Sequence, residues 1–569
     1  MTDSNPSTRW GRTIIASLAA AGIDLVCIAP GSRSTPLAVA AAANHQVDVI
    51  SLLDERSAGY FAVGRAKATG VPVAVITTSG TATANLHPAV LEADSSHTPL
   101  VVCTADRPPE LQHSGANQTV TQTDLYGDAV RWAPTIPEAG SGERRHQALQ
   151  TTVSRAVARS QAPVPGPVHL NIPFSKPLAP ETELDTTTLA DEAIVRVHSG
   201  RSYPSPTAVD SIAEAIRSAD RGVIVAGPSD SRTSLEPLST LAAQTRFPLL
   251  ADALSGVRFG TANLPVRPIA GYDAYLDELP AADLVIRAGR RPTSRSLQEY
   301  LGRTRGKHIF LSPTGELEDP EYSTTDIIAA DPGAVVDAVT EQLETRNHSE
   351  QWHKRFQTAE TVYWNATMGN RPAEATVVGD AIAEAPSDAT VFVSNSMPVR
   401  DLDRFGRARP EPLQVLANRG ASGIDGIISS GLGAGYDAEE VIVITGDLAL
   451  YHDMNGLLAI DRAGVDATIV VINNDGGGIF HKLPIASVDP PFTDLFVTPH
   501  GLNFEDTASL YDINYHRTDA TEFLDVYRSV IGTGSDLIEV SVDGETNHHD
   551  REQLALDIKE TIRETQSTE

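Results

Sequence analysis

Short runs of consecutive apolar residues recur along the chain, each followed by a longer stretch of mixed polarity. In the first third they occupy 25–29, 47–53, 73–77, 100–104 and 168–172. A second set lies at 222–226, 248–251, 284–287 and 308–311, and closes with an acidic helical stretch at 335–343. A third lies at 390–393, 413–416, 441–445, 467–473 and 537–540. These runs are rich in Val, Ile and Leu and lack polar alternation, which is the pattern of strands buried on both faces of a parallel sheet. Helical segments between them complete β–α–β units. The fold class is therefore α/β, with three doubly wound, mostly parallel-sheet domains at 1–185, 200–345 and 370–569. A length of 569 residues accommodates them. The Pro-, Thr- and acid-rich segment 175–193 reads as a linker. The first and third blocks share a style of strand, small-residue loop and helix.

Composition narrows the class. With 41% hydrophobic residues the chain can bury large cores, and a net charge of −30 argues against general affinity for nucleic acid or an anionic membrane. Lysine occurs only at Lys67, Lys176, Lys307, Lys354, Lys482 and Lys559. An acidic, lysine-poor surface suits a high-salt cytosol, where counterions screen self-repulsion; an acidic enzyme of an ordinary cytosol has the same signature. Cys27 and Cys103 each lie in an apolar run, as buried inert thiols do, and two cysteines make no disulfide framework. No apolar run approaches the roughly 20 residues that span a bilayer. "TIIASLAAAG" reads as the first helix of a cytoplasmic enzyme, since Asp3 precedes it and domain pattern follows.

Candidate chemistry sits where strands end. In "SLLDERSAGYFAVG" an apolar strand runs into Asp54 and Glu55 and then a helix. Glu55 is either an acid favoured by the helix dipole or a catalytic carboxylate. In the third block, "VIVITGDLALYHDMNGL" precedes "ATIVVINNDGGGIF". Asp447 ends one strand and Asn474 the next, with a helix expected at 454–463 between them. This single crossover brings both polar tips to the carboxyl edge of the sheet, where ligands of open α/β sheets bind. A carboxylate, an amide oxygen and a backbone carbonyl suit Mg²⁺ completed by phosphates and water. The alternative is a helix cap and a turn residue. Arg33, Arg107, Arg400 and Arg419 recur in small-residue loops at such strand ends. Their planar forks match carboxylates and point to substrates that carry several, whereas a surface arginine is ordinarily a solvated ion pair.

The stretch from Gly446-Asp447 to Asn473-Asn474 resembles the diphosphate- and metal-binding motif of thiamine-diphosphate enzymes. That motif usually begins Gly-Asp-Gly, and Leu448 stands third here. The variant resembles the menaquinone-pathway synthases of this superfamily. So do "APGSRSTPLA", "DERSAGYFAVGRAKATG", "TSGTATANLHPAVLEA", "TADRPPEL", "GANQT", "SNSMPVRD" and "NRGASGIDG", which run in the same order from Ala29 to Phe480. The resemblance implies pyrimidine-binding, central and diphosphate-binding domains. It implies thiamine diphosphate as cofactor, with Mg²⁺ (Mn²⁺ as a substitute) on Asp447, Asn474 and the Gly476 carbonyl. Glu55 would bond the pyrimidine N1′, Ile424 would hold the cofactor bent, Ser396, Ser422 and Gly446 would line the diphosphate side, and Ile479 and Phe480 the apolar wall. Taken alone, Ile424 is equally an ordinary core residue.

The implied reaction is a transferase step: decarboxylation of 2-oxoglutarate and Stetter-like 1,4-addition of the succinyl carbanion to isochorismate. Ser396, Arg400 and Arg419 would contact the succinyl side, and Ser32, Arg33, Arg107, Asn117 and Gln118 the acceptor and reacting groups. Arg295 in "GRRPTSRS" would take the place of a central-domain lysine at the isochorismate site. The pocket is expected to be dry and poor in histidine, so that the acyl anion is not protonated early. The family places the site across a subunit interface, which implies a homodimer or homotetramer. Three other readings stand beside this one: a 2-oxoacid decarboxylase or acetohydroxyacid synthase, a silent nucleotide-binding subunit on the same fold, and a Rossmann dehydrogenase, whose strand–GxGxxG–helix fingerprint is missing from the first βα unit.

Overall fold

The computed structural model describes residues 5–140, 142–180, 198, 200–229, 234–343, 350–489 and 491–568. Most of the expected linker lies outside these residues. Three sheets form, and every strand pairing in them is parallel. The first comprises β1 (Leu25–Ile28), β2 (Asp48–Ser51), β3 (Val73–Thr77), β4 (Leu100–Asp106) and β5 (Pro167–Pro173) in the order β2-β1-β3-β4-β5. The second comprises β6 (Gly222–Ala226), β7 (Leu249–Ala251), β8 (Leu284–Ala288), β9 (Lys307–Leu311) and β10 (Asp326–Ile328), ordered β10-β9-β8-β6-β7. The third comprises β11 (Thr390–Val393), β12 (Gln414–Leu416), β13 (Val441–Gly446), β14 (Thr468–Asn473), β15 (Asn514–Asp519) and β16 (Asp536–Ser541), ordered β12-β11-β13-β14-β16-β15. β10 and β15 were not expected from the pattern; both are edge strands, and β15 is largely polar and solvent-facing. The helix expected at 454–463 instead begins at the strand end: Asp447–Asp453 is α-helical, Met454–Leu457 is a 3₁₀ turn and Leu458–Ala463 resumes the α-helix. No helix among the described residues is long and apolar enough to cross a membrane.

The chain packs into two compact units. The first contains Met1–Ser199, Asn418–Ala438 and Tyr451–Asp466. Its core lies between the first sheet and the helices Pro6–Ala20 and Glu143–Gln161, around Trp10, Ile14, Val101, Leu149, Val153 and Phe174. Cys27 and Cys103 are buried and unpaired, and burial pushes both thiols up to about 12, so they are inert at neutral pH. The helix Glu55–Thr69 starts on Asp54, whose Oδ1 accepts the N–H of Arg56 at 2.9 Å. It lies backbone to backbone on the helix Ile427–Ala434: a Cβ on Gly64 would come within 1.9 Å of the Ser430 carbonyl oxygen, and one on Gly433 within 2.0 Å of that of Phe61.

Two buried acids hold the segments that return to this unit. Glu92, 1% exposed, accepts hydrogen bonds from Lys67 Nζ at 2.6 Å and from the N–H groups of Gly420, Ala421 and Ser422 at 3.0, 2.8 and 3.4 Å. Asp453 accepts from Ser429 N–H at 2.7 Å and Ser429 Oγ at 3.0 Å.

The second unit contains Gly200–Ala417, Glu439–Leu450 and Ala467–Glu569. Its two sheets have separate cores, one around Ile224, Leu249, Ile286 and Val336, the other around Val391, Ile442, Val470 and Ile538. Arg258 is fully buried where they join: Nη2 bonds Asp403 Oδ1 at 2.8 Å and Nε donates to the Ala251 carbonyl at 2.8 Å. This ties β7 to the helix Met397–Phe405. The C-terminal helix Gly544–Thr568 packs Ile558 and Ile562 against Trp352, Phe356 and Tyr363.

Removing one partner of a buried ion pair strands the other charge, at about 3–5 kcal/mol. Glu92→Ala should lose about that much stability in denaturant unfolding and speed amide exchange at 420–422. A Lys67→Met/Glu92→Leu double variant should recover much of the stability but not the slow exchange. His169, buried on β5 with Nε2 at 2.7 Å from Thr104 Oγ1, is pushed down to about 4 by desolvation. The unfolded ring binds a proton below about 6.5. The stability it contributes is therefore complete above that pH and falls by about 1.4 kcal/mol per unit as pH drops toward 4. His169→Gln should flatten the melting temperature in this window.

Candidate functional site

In the second unit, polar residues gather at the carboxyl ends of β11, β13 and β14. β11 lies between β12 and β13, which is where the strand order of this sheet reverses. Gly446 of β13 is in register with Ile472 of β14, so Asp447 and Asn474 leave the sheet side by side. Asp447 is 3% exposed. Its Oδ2 accepts the Gly476 N–H at 2.9 Å, and its Oδ1 accepts the Leu448 N–H at 2.7 Å. Burial raises its carboxyl above the usual range, opposed by these N–H groups and by His500. Asn474 Nδ2 donates to Glu374 Oε1 at 2.7 Å, while Oδ1 is buried without a partner. A desolvated carboxylate beside an orphaned amide oxygen is a donor set that fits a hard dication.

The loop that follows has room only for glycine at its turn. Gly476 has φ +138°, and a Cβ there would sit 2.0 Å from the Val497 carbonyl oxygen. Gly446 faces open space, so its backbone is free for a ligand to approach. Ile479 and Phe480 follow, both half-buried in the 3₁₀ turn Gly478–Lys482, with Phe480 edge-on to Phe496 at 5.5 Å. After β11, Ser396 has φ +71° and ψ −126°, a strained backbone of the kind found at ligand-binding turns. Its carbonyl accepts Arg400 Nη1 at 2.5 Å. Burial pushes the Arg400 guanidinium down; Asp401 and Asp273 oppose this, and the like charge of Arg291 adds to it.

The first unit carries the other expected residues. Glu55 opens the helix Glu55–Thr69, but Asp54 is its cap, which leaves the half-buried Glu55 carboxylate with a single long bond from Asn85 Nδ2 at 3.3 Å. Leu53 beside it is 64% exposed. Ser32 is exposed and Arg33 buried in the turn after β1. Arg33 Nη1 donates to the Phe174 carbonyl at 2.6 Å, and Nε is buried without a partner. Burial lowers the Arg33 guanidinium, and the charge of Arg107 lowers it further. Arg107, after β4, donates to the Asn117 carbonyl at 2.8 Å. Gln118, at φ +57°, donates from Nε2 to the Ser79 carbonyl at 2.9 Å. Arg33, Arg107, Asn117 and Gln118 thus lie together beyond the carboxyl ends of β1, β3 and β4. Arg419, Ser422 (φ +62°) and Ile424 lie half-buried in the loop fixed by Glu92.

Two observations bear on the expected site. Arg295 opens the helix Arg295–Gly302 with its side chain 90% exposed and paired to Glu299 at 2.7 Å. The central-sheet arginine whose charge reaches Arg400 is Arg291, four residues earlier and closer to the end of β8. The neighbourhood of Asp447 is also not free of histidine. His500 Nδ1 accepts the Leu502 N–H at 3.0 Å, which leaves a neutral ring to donate from Nε2 to Asp447 Oδ2 at 3.1 Å. His500, Glu374, Asp401 and Arg551 escaped the sequence reading because each meets its partner across a long span of chain.

Three family models cover most of the chain. Residues 8–126 match the thiamine pyrophosphate enzyme N-terminal TPP binding domain, 205–393 the middle domain, and 400–540 the C-terminal TPP binding domain. A 2-succinyl-5-enolpyruvyl-6-hydroxy-3-cyclohexene-1-carboxylate synthase of Halobacterium salinarum is 48% identical, covering 98% of this chain and 99% of its own. Synthases of the same name from Natronomonas pharaonis and a Roseiflexus species are 47% and 40% identical, covering 99% and 95% of this chain and 100% and 96% of their own. Among solved structures, benzoylformate decarboxylase from Polynucleobacter necessarius superimposes with a TM-score of 0.72 over 94% of this chain and 98% of that one, at 16% identity, which speaks for the fold alone. With full-length relatives at these identities, the chain belongs to the 2-succinyl-5-enolpyruvyl-6-hydroxy-3-cyclohexene-1-carboxylate synthase family of thiamine-pyrophosphate enzymes.

Proposed function

We propose that the chain decarboxylates 2-oxoglutarate and adds the remaining succinyl unit to the conjugated acid of isochorismate, releasing CO₂ and the product after which its relatives are named. The observation that carries this reading is the pairing of Asp447 with the orphaned Asn474 Oδ1 at the edge of β13 and β14, in a chain of this family. Thiamine diphosphate, when bound, supplies the nucleophilic carbon and electron sink that decarboxylation of a 2-oxo acid requires. Asp447, Asn474 and the Gly476 carbonyl would hold Mg²⁺, or Mn²⁺ in its place, against the diphosphate. Ser396, Ser422 and Gly446 would approach the diphosphate, while Ile424, Ile479 and Phe480 would bound the rings with apolar surface.

Glu55 would hold a proton at the pyrimidine nitrogen. Its support is a carboxylate free of capping duty, set at a strand end beside exposed Leu53. Arg400 and Arg291, with Arg419, would take the carboxylates of 2-oxoglutarate and its succinyl remnant. Arg33 and Arg107, with Ser32, Asn117 and Gln118, would take isochorismate. In each cluster one guanidinium, Arg400 or Arg33, is lowered by burial and by the like charge of its neighbour, and a dianionic ligand relieves that cost. The working enzyme would be a homodimer or homotetramer, with Glu55 of one copy serving the diphosphate site of another. A soluble cytoplasmic enzyme in a KCl-rich cell fits the −30 charge and six lysines, and binding to nucleic acid or membrane does not.

Purified protein in concentrated KCl with Mg²⁺, thiamine diphosphate and 2-oxoglutarate should consume isochorismate, and omission of 2-oxoglutarate should stop it. Glu55→Gln should lower turnover by about 10²-fold or more. Folded, cofactor-bound protein that leaves isochorismate untouched would sink the reading and turn attention to simple 2-oxoacid decarboxylation.

A further inference from the structure

Asn474 can serve a cation only through Oδ1, because its NH₂ end would turn two donors toward the metal. The two ends of the amide are nearly alike in shape and differ in chemistry. The end that faces Glu374, the second residue of the helix Ala373–Glu384, is the NH₂, which donates to Oε1 at 2.7 Å. Oδ1 is thereby turned the other way and left buried and unpartnered.

Glu374 is itself fixed from two directions by the C-terminal helix. Its backbone N–H donates to Asn547 Oδ1 at 3.0 Å. Its Oε2 lies 3.5 Å from Arg551 Nη2, with 3% and 5% of the two side chains exposed. Arg551 in turn grips Asp401 with both ends of its fork. Asp401 adjoins Arg400 on the helix Met397–Phe405, so one buried arginine ties the holder of the metal ligand to the helix that carries a substrate arginine.

We propose that Glu374 is a positioning residue that orients Asn474 Oδ1 toward the metal of the diphosphate site, with Arg551 and Asn547 as its supports. This rests on the assignment of Asn474 as a metal ligand. Groups that hold a ligand in place typically govern metal affinity by 10–100-fold. Two variants separate reach from acceptor character. Glu374→Asp keeps an acceptor-only carboxyl group beside Arg551 but withdraws it by one methylene. Glu374→Gln keeps the reach, but its oxygen is drawn to the donor-only Arg551 and its NH₂ end is left facing Asn474, which favours the reversed amide.

Mn²⁺ is the probe, titrated with thiamine diphosphate present and followed by the EPR signal of the free ion, with the unfolding midpoint measured in parallel. Glu374→Asp and Glu374→Gln should each bind Mn²⁺ about 10–100-fold more weakly than the unaltered protein. Either variant decides alone if the other does not fold. A folded variant of either kind that binds Mn²⁺ as the unaltered protein does overturns the proposal. If the unaltered protein takes up no Mn²⁺ with thiamine diphosphate, the metal assignment fails, and the role of Glu374 fails with it.

Discussion

Strands buried on both faces of a parallel sheet take few polar side chains along their length, each needing a partner as His169 has in Thr104, so the candidate chemistry of this chain collects where its strands end. β13 is apolar from Val441 to Ile444 and β14 from Ile469 to Ile472, and Asp447 and Asn474 follow within three residues. Glu55 follows β2, Arg33 follows β1, Arg107 follows β4 and Ser396 follows β11 in the same way. Parallel pairing then aligns these ends on one edge of each sheet. The functional residues need no loop design of their own to be brought near one another; the sheets impose it.

The cost of that arrangement is desolvated acid. Asp447, Glu92, Asp453 and Glu374 are all buried, in a protein whose surface is already strongly acidic. Each is met differently. Glu92 has Lys67 and three successive N–H groups; Asp453 has Ser429 alone, and burial pushes its carboxyl up to about 7. Asp447 has two N–H groups and a histidine, too little to bring its carboxyl back to the ordinary range. Burial also raises the Glu374 carboxyl to about 7, so incomplete compensation by itself does not mark a cation site; what sets Asp447 apart is the orphaned Asn474 Oδ1 beside it.

The sequence made the strands and their polar tips legible because both are local. Runs such as "VIVIT" and "TIVVIN" are unambiguous, and the acids that follow them stand out. The edge strands β10 and β15 were not legible, since a strand with one neighbour and a solvent face carries little apolar signal. Asp54 and Glu55 are adjacent and alike in the sequence; only coordinates separate the cap from the free carboxylate. Arg291 and Arg295 lie four residues apart, one in the turn after β8 and one at a helix start, and it is the charge of Arg291 that reaches Arg400. His500 and Arg551 are named only by partners 53 and 150 residues away, a separation that leaves no periodicity to read.

The helix Glu55–Thr69 presents glycine to the backbone of Ile427–Ala434, and Glu92 waits for the N–H groups of 420–422. The first unit is therefore incomplete when its own first 199 residues leave the ribosome; its last piece ends at Asp466. At about 5–20 residues per second, synthesis leaves that face uncovered for on the order of tens of seconds. During this interval the helix face around Gly64 and the Glu92 carboxylate, with Lys67 but without its three N–H partners, are open to whatever else is in the cell. A chain built this way places its greatest demand on chaperones midway through translation, not at release.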